Sequence, residues 1–230
     1  MEEKKIKPLT APKKSDYRPR AHVNPFSDHE MFVKKSPELV DWSNYFSNNN
    51  HPKFIDVGCG YGKFLINLSK KTENNVLGLE IREKVCEFVN KKIEYLKSKN
   101  EVSNNVSCIK TNALFFLPNI FKEKSLEKIF ILFPDPQFKK KKKKARIISE
   151  DLIFLYHFLL EKNGKIYFST DVKEYFDYVM DIFNKNDFFE KIDDEVDFYK
   201  EITEGTDESD RAGKKTGAIF GAIFKKIDKN

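Results

Sequence analysis

The chain is poor in cysteine, has a single tryptophan and has no long apolar run. Its three cysteines, Cys59, Cys86 and Cys108, form no C-x-x-C pair and have no histidine at metal-ligand spacing. That pattern argues against a zinc site or a disulfide framework and indicates a reducing compartment. No stretch approaches the ~20 apolar residues that span a bilayer, and the charged amino terminus lacks the apolar core of a secretion signal. We therefore expect an intracellular protein with no membrane and no metal site.

What the chain does contain fits one globular domain. It has 230 residues, of which 40% are hydrophobic and 22 are phenylalanine, enough to bury a substantial core. Residues 1–30 are basic, contain proline and show no periodicity. We interpret residues 1–45 as an amino-terminal arm and entry segment and residues 46–230 as the folded domain.

Charge is unevenly distributed along the chain. Residues 139–146 carry seven positive charges and no negative one, whereas residues 190–210 carry ten acids and only two lysines. Segregation of this kind suits a protein that attracts a polyanion at one place and repels it at another. The simpler interpretation of each run is a solvated face.

An alternation of short apolar strands and helical patterns begins near residue 53. Predicted strands cover residues 54–57, 76–81, 106–110, 128–133 and 165–169, and predicted helices cover residues 62–71, 84–99, 149–161 and 174–184. This order predicts an α/β fold with a mostly parallel sheet covered on both faces. Residues 218–226 form another predicted strand, antiparallel and hairpin-paired with a weak strand at 189–192.

A glycine-rich turn follows the first predicted strand, where residues 56–62 read D-V-G-C-G-Y-G. Glycines let a backbone approach a ligand closely. Glu80 ends the next strand, where an acid typically accepts hydrogen bonds from the hydroxyls of a ribose. Dinucleotides and S-adenosylmethionine are both bound by this layout. A dinucleotide fingerprint requires glycine or alanine at position 63, which is Lys63 here. Asn112 and Ala113, after the third strand, are candidates to contact an adenine edge.

Asp135 lies in a P-D-P sequence at the end of the fourth predicted strand, just before the lysines at 139–144. Ligands bind at the carboxyl ends of strands in open α/β sheets. An acid beside a phosphate-binding surface suggests chemistry on a nucleic acid, although Asp-Pro after a strand is also a common turn. Asp171 ends the fifth strand, and Asp207 and Glu208 follow later. Carboxylates accept the N1–H and N2–H₂ donors of guanine, whereas adenine calls for an amide.

These residues together resemble the tRNA (guanine-N7-)-methyltransferases, specifically their eukaryotic branch. The similarity runs in family order over nearly the whole chain, and its most specific elements are the segments around residues 20–25 and 133–139. The matching segments are residues 17–25 (Y-R-P-R-A-H-V-N-P) with Asp28 and His29, Asp41 with Trp42, residues 56–62, residues 77–82 (L-G-L-E-I-R), Asn112 with Ala113, residues 132–136 (L-F-P-D-P) with Lys139, residues 146–149 (R-I-I-S), Thr170 with Asp171, and residues 206–208 (T-D-E).

The resemblance implies a Rossmann-like class I S-adenosylmethionine-dependent methyltransferase, with a mostly parallel seven-stranded sheet and an antiparallel carboxyl-terminal strand. It implies methylation of guanine N7 in the variable loop of tRNA, at guanine 46, with Asp135 in the catalytic position. The implied cofactor-binding residues are Gly58, Glu80, Ile81, Arg82, Asn112, Ala113 and Leu132. The implied substrate-binding residues are Lys139, Arg146, Asp171, Thr206, Asp207 and Glu208.

The resemblance also implies partners and a location. They are tRNA, a WD-repeat β-propeller subunit that forms a heterodimer, and the nucleus, with the cytoplasm as a further location. The lysine run is equally compatible with a nuclear localisation signal and with RNA contact. The chain departs from the family at Gln137, where histidine or tryptophan is usual, and at Ser209, where glycine is frequent.

Three other functions fit parts of the sequence. A methyltransferase acting on an amine or a ribose is disfavoured because the segment around Asp135 lacks a second consecutive proline. A non-catalytic RNA-binding subunit would be expected to lose Asp135 or Glu80, and both are present. A nicotinamide-dependent dehydrogenase is disfavoured by Lys63 and by the lack of an evident catalytic Tyr-Lys or His-Asp set.

Overall fold

Strands and helices alternate through the residues that the computed structural model describes, which are 9–18, 24–26, 35–215 and 218–228. The strands are β1 (Phe54–Val57), β2 (Val76–Glu80), β3 (Val106–Lys110), β4 (Leu126–Leu132), β5 (Leu160–Thr170), β6 (Phe189–Ile192) and β7 (Phe220–Lys226). The helices are α1 (Lys63–Ser69), α2 (Glu83–Ser98), α3 (Ala113–Ile120), α4 (Glu150–Leu159), α5 (Lys173–Asn184), α6 (Val196–Glu204) and α7 (Asp207–Lys215).

One seven-stranded sheet joins all of these strands in the order β3-β2-β1-β4-β5-β7-β6. Neighbours from β3 to β5 pair in parallel, and β7 is antiparallel to both β5 and β6. Every residue of β1 and β2 is buried, as expected for parallel strands with helices on both faces. The predicted fold class is therefore confirmed.

Alternation along β4 divides the core between the two faces of the sheet. Successive side chains of a strand point to opposite faces. Ile129 and Ile131 accordingly pack into the cluster that contains Tyr156 and Phe183. Phe130 packs into the other cluster, where its ring stacks on Tyr167 at a centroid distance of 4.6 Å. The strand is thus fixed from both sides, which sets the position of the loop that follows it.

The sequence prediction missed three helices. Pro118 lies inside α3 and weakens its helical pattern, yet the side chain of Asn112 caps the helix by accepting a hydrogen bond from the Leu114 amide at 3.1 Å. α6 and α7 fill the stretch between β6 and β7, so those strands pair as predicted but through a connection much longer than a hairpin turn. Residues 19–23, Asp28 and His29 of the arm motif lie outside the described residues, and the domain boundary at residue 46 stays a prediction.

Candidate active site at the carboxyl edge of the sheet

The sheet changes direction between β1 and β4, which lie side by side although two strands and three helices separate them in sequence. From β1 the chain returns through α1 to β2 on one side, while β4 leads to β5 on the other. The carboxyl ends of two such strands open a crevice at the switch point. Here the crevice lies between the glycine turn after Val57 and the loop after Leu132.

Two glycines of the turn have left-handed backbone, and the absence of a Cβ serves a different purpose at each. Gly58 has φ +77°, and a Cβ built on it would meet nothing within 4 Å. Gly62 has φ +73°, and its Cβ would lie 3.0 Å from Cγ1 of Val89 on α2. Gly62 therefore serves helix packing, whereas Gly58 leaves open space that a ligand can occupy.

The carboxylate of Glu80 is buried at the end of β2 and already has several donors. It accepts hydrogen bonds from the Gly60 amide at 3.1 Å and from the Arg82 amide at 2.9 Å. The Arg82 guanidinium adds two more, from Nε at 2.9 Å and Nη2 at 3.0 Å. The hydrogen bonds to Glu80 raise the pKa of Arg82. These donors use both oxygens of the carboxylate, so the Arg82 side chain would compete with a ribose for Glu80.

Asp56, which the sequence analysis did not single out, adds a second buried acid beneath the turn. It is 3% exposed at the third position of β1. Burial, followed by the negative charges of Glu208 and Glu80, raises the pKa of Asp56 to about 8. Three carboxylates thus converge on one crevice, where a cationic ligand would be stabilised. The signal in the sequence was a lone acid inside an apolar strand next to the glycines.

The start of α7 closes over the glycine turn. The crevice is lined by Asp56, Gly58, Cys59, Lys63, Phe64, Leu132, Thr206, Asp207 and Glu208. Oε1 of Glu208 lies 3.9 Å from the position that a Cβ on Gly60 would take. The predicted residues at 206–208 therefore lie at the cofactor end of the site, together with Gly58 and Leu132.

Two lysines hold this helix in place, and its first turn caps itself. Lys63 Nζ pairs with Asp210 at 2.7 Å and donates to the Thr206 carbonyl at 3.3 Å, while Lys14 pairs with Asp207 at 2.9 Å. The Ser209 amide donates to Thr206 Oγ1 at 2.8 Å, and the Thr206 amide donates to Ser209 Oγ at 3.0 Å. This reciprocal pair is a capping box, which gives Ser209 a structural role.

Asn112 lies buried after β3 and joins two segments. Its Nδ2 donates to the Pro25 carbonyl of the arm at 2.7 Å, and its Oδ1 caps α3. Ala113 is the first residue of α3, and Ile81 directly follows Glu80. Asn112 and Ala113 therefore lie just after β3, and their contact with an adenine stays a prediction.

The loop that carries Asp135 is built from unusual backbone. Phe133 has φ +49° and Gln137 has φ +48°, a conformation that non-glycine residues adopt at a cost of about 1–3 kcal/mol. The Phe133 amide donates to the Ser169 carbonyl at 2.8 Å, and the Gln137 amide donates to Asp135 Oδ1 at 3.0 Å. Asp135 itself is exposed. The loop thus presents its carboxylate to solvent in a fixed orientation.

Arg146 supports this loop from below. Only 5% of the residue is exposed, and its guanidinium carbon lies 4.1 Å from the centroid of the Tyr178 ring. Its Nε donates to the Pro136 carbonyl at 2.8 Å. The family resemblance implies substrate binding for Arg146. This burial favours a positioning role, because the group that would contact RNA already holds the backbone next to Asp135.

The lysine run forms a short 3₁₀ segment, Lys140–Ala145, directly after the Asp135 loop. Lys139 and residues 141–144 are exposed. Asp171 follows β5, whose Ser169 pairs in register with Leu132. Lys139 and Asp171 therefore share the edge with Asp135, although neither lines the crevice beside Gly58.

A larger cavity of about 400 Å³ lies elsewhere, lined by Trp42, His51 and Phe121 among others. It borders residues that precede β1 and β4, at the amino ends of the strands, and contains no predicted site residue. Within the described ranges, no group of three or more histidines, cysteines or acids is arranged to hold a metal ion. No helix in those ranges is long and apolar enough to cross a bilayer.

Comparison with known proteins agrees with this geometry. A family model described as "Putative methyltransferase" matches residues 50–222. Among solved structures, one titled as an antibiotic related methyltransferase superposes with a TM-score of 0.50 at 18% identity, covering 85% of this chain and 99% of its own. That likeness shows the fold alone.

Curated relatives are much more similar in sequence. A protein of Brugia malayi is 39% identical over 225 residues, covering 94% of this chain and 87% of the relative. A protein of Xenopus laevis is 37% identical over 248 residues, covering 96% and 91%. Both are named tRNA (guanine-N(7)-)-methyltransferase. By this similarity over nearly its full length, the chain belongs to the tRNA (guanine-N7-)-methyltransferase family.

Proposed function

We propose that this protein transfers a methyl group from S-adenosylmethionine to N7 of a guanine in tRNA, and that the target is guanine 46 in the variable loop. The observation that carries the proposal is the sharing of one sheet edge by an acidic crevice, the Asp135 loop and the exposed lysines. Family membership supports both the reaction and the class of RNA.

The crevice suits S-adenosylmethionine in charge. Glu80 and Glu208 supply negative charge, and Asp56 adds to it when a cationic ligand favours its ionised form. The guanidinium of Arg82 binds Glu80 directly. S-adenosylmethionine supplies a methyl group made electrophilic by a positive sulfonium. Asp56 and Glu208 stabilise positive charge at the methionine end, Glu80 accepts the ribose hydroxyls, and Gly58 leaves room for close approach.

The chain's own contribution to the reaction is placement and electrostatics. Guanine N7 has a lone pair and no proton, so no general base is needed. The lone pair forms the new N–C bond as the S–C bond breaks and its electrons stay on sulfur, which leaves the purine positively charged. Asp135 accepts hydrogen bonds from the N1–H and N2–H₂ donors of the guanine and stabilises the positive charge that develops on the purine.

Orientation is the larger effect. Holding two reactants in line contributes roughly 7–11 kcal/mol to barrier reduction. One well-placed charge contact contributes roughly 3–4 kcal/mol. The strained Asp135 loop and its Arg146 support serve orientation, because they fix the carboxylate before the base arrives.

Transcripts that differ at one atom test the proposal. Labelled S-adenosylmethionine is incubated with a tRNA transcript, with and without cell extract, and aniline cleavage locates the modified purine. We expect cleavage at position 46 and none in a transcript that carries 7-deazaguanine there. Methylation of the 7-deaza transcript at the same level would disprove N7 as the acceptor, and cleavage at another guanine would disprove the position.

We further propose a WD-repeat β-propeller subunit as a partner. Phe154 and Phe158 support a docking surface on α4, since they lie one turn apart and are 58% and 44% exposed. A complex formed on co-expression should be lost in the double variant Phe154→Ser, Phe158→Ser. The matched control is Leu39→Ser, which alters a residue that is 55% exposed elsewhere. A complex that survives the double variant excludes this surface.

A nuclear location is also proposed, with the lysine run as one means of import. A fluorescent fusion of the chain should concentrate in the nucleus. Exclusion of the unaltered fusion from the nucleus would overturn this. If replacement of residues 141–144 by glutamine leaves the fusion nuclear, those lysines do not act as the signal.

A further inference from the structure

Two exposed phenylalanines near the carboxyl end of β3 have no role in the chemistry described above. Phe26, in the arm, is 40% exposed and Phe115, on α3, is 45% exposed. Their rings meet edge to face, with centroids 5.5 Å apart and planes at 64°. Apolar surface left in water at a site of this kind commonly marks an interaction surface. We call Phe26, Phe115 and the adjacent Lys144 the aromatic platform.

The platform is fixed by the site rather than loosely attached to it. Asn112 at the end of β3 binds both of its parts, since it donates to the Pro25 carbonyl and caps the helix that carries Phe115. The Phe26 amide in turn donates to Asn24 Oδ1 at 3.2 Å. The two rings are therefore held at the same strand end where the cofactor site begins.

Lys144 brings positive charge to the platform. Lys144 Nζ lies 5.0 Å from the centroid of the Phe26 ring. Lys144 ends the exposed lysines at 141–144, and no acid interrupts residues 139–146. An aromatic surface bordered by exposed cations is the arrangement that proteins use to stack single-stranded bases and hold their phosphates.

We propose that an unpaired nucleobase of the tRNA close to the methylated guanine stacks on the face of Phe115 and packs against Phe26, while Lys144 contacts its phosphate. This proposal deepens the proposed function, on which it rests. A base within a duplex presents no free face to these rings. The platform therefore selects guanines whose neighbour is unstacked. Phosphate contacts alone do not distinguish a loop from a stem, and the platform supplies that preference.

The test replaces each ring by an apolar side chain without a π face. In Phe26→Leu and Phe115→Leu, tRNA affinity should fall about tenfold per ring, within the range known for base stacking. The dependence of affinity on salt should stay unchanged, because no charge is removed. Lys144→Gln should reduce that dependence, and Phe26→Trp should restore affinity. The matched control is Tyr95→Leu, which removes a ring beside Lys99 on α2.

A second measurement identifies the stacked base. Single 2-aminopurine substitutions at unpaired positions around the variable loop should reveal one position whose fluorescence is quenched on binding, and the quenching should disappear in Phe115→Leu. The proposal is overturned if both leucine variants bind like the unaltered protein, or if no position loses its quenching. Failure of the proposed function is distinct, since it appears as absent guanine-N7 methylation by the unaltered protein.

Discussion

Two segments of opposite charge behave differently in the folded protein. The basic segment, residues 139–146, leaves the lysines at 141–144 exposed beside Asp135. The acidic segment, residues 190–210, pairs much of its charge with distant lysines. Its pairs are Glu190 with Lys225, Glu195 with Lys165, Glu201 with Lys71, Asp207 with Lys14, and Asp210 with Lys63. The exposed lysines of the first segment thus remain accessible to a polyanion, whereas the second segment fastens two helices over the sheet and the crevice.

The comparison corrects a simple interpretation of charge runs. The sequence suggested attraction at one segment and repulsion at the other. The structure shows that the acids are part of the architecture, because their partners come from α1, β5 and the arm. Like charges in sequence need not form a like-charged surface when the fold supplies counter-charges from afar.

Asp135 lies just before the basic segment, and its loss should have the largest effect. In Asp135→Ala, turnover should fall about 10²–10³-fold, as when one transition-state contact is removed. Affinity for S-adenosylhomocysteine, measured by calorimetry, should stay unchanged because Asp135 does not line the crevice. A variant that no longer binds the cofactor product would contradict the assignment.

Replacing residues 141–144 by glutamine should remove the positive charge of the exposed lysines in the basic segment. We expect tRNA affinity to fall. For each phosphate that is no longer neutralised, the slope of log affinity against log salt concentration should become shallower by about 0.7–0.9. The control replaces three exposed lysines elsewhere, Lys84, Lys99 and Lys124. Equal slopes in the two variants, measured by filter binding at several salt concentrations, would reduce the run to a solvated face.

Variants of Arg146 should distinguish the effect of its positive charge from its effect on the position of the Asp135 loop. Both Arg146→Met and Arg146→Lys lose the planar group that lies over Tyr178 and holds Pro136. Turnover should fall about tenfold in both, since small displacements of a catalytic group are costly. The salt dependence of tRNA binding should not change. Full activity of the lysine variant would mean that charge alone matters.

Asp56 should make cofactor binding depend on pH. Its pKa of about 8 lies above the usual carboxyl value, so at pH 7 most molecules carry the proton. A cationic ligand favours the ionised form, so binding of S-adenosylmethionine should release protons at pH 7. Proton release linked to Asp56 should also increase affinity as the pH rises towards 8.

Calorimetry in two buffers of different ionisation enthalpy measures this release. The proton release should vanish in Asp56→Asn. A binding enthalpy that is the same in both buffers for the unaltered protein would exclude the linkage.

The smallest effect is expected where the acidic segment meets α1. Lys63→Met breaks the contacts of Lys63 with Asp210 and Thr206, and we expect the free energy of unfolding to fall by at most about 1 kcal/mol, as for other partly exposed pairs. Cofactor affinity should weaken severalfold because α7 lines the crevice. Lys71→Met, which breaks a pair with Glu201 on α6, should affect stability alone. Equal cofactor affinity in both variants would refute the closing role of α7.

Much of the fold followed from local pattern, and the misses have physical causes. β1 and β3 match their predicted bounds because short buried strands bounded by turn residues are a strong local signal. α3 was missed because Pro118 obscures its pattern, although its stability comes from Asn112 and from packing. Gly58, Glu80 and Leu132 were predicted and meet at the crevice or its turn. The burial of Arg146 could not be predicted, because it depends on two tyrosines from α5, which no local pattern reveals.

The contact between Arg82 and Glu80 has a consequence for turnover. Because the guanidinium is attached two residues from the carboxylate, it would compete at a high local concentration with a ribose held by Glu80 as proposed. Arg82 would then replace the ribose of the spent cofactor on Glu80 at each release. An enzyme arranged in this way gives up some affinity for its donor and gains faster exchange of product for fresh donor.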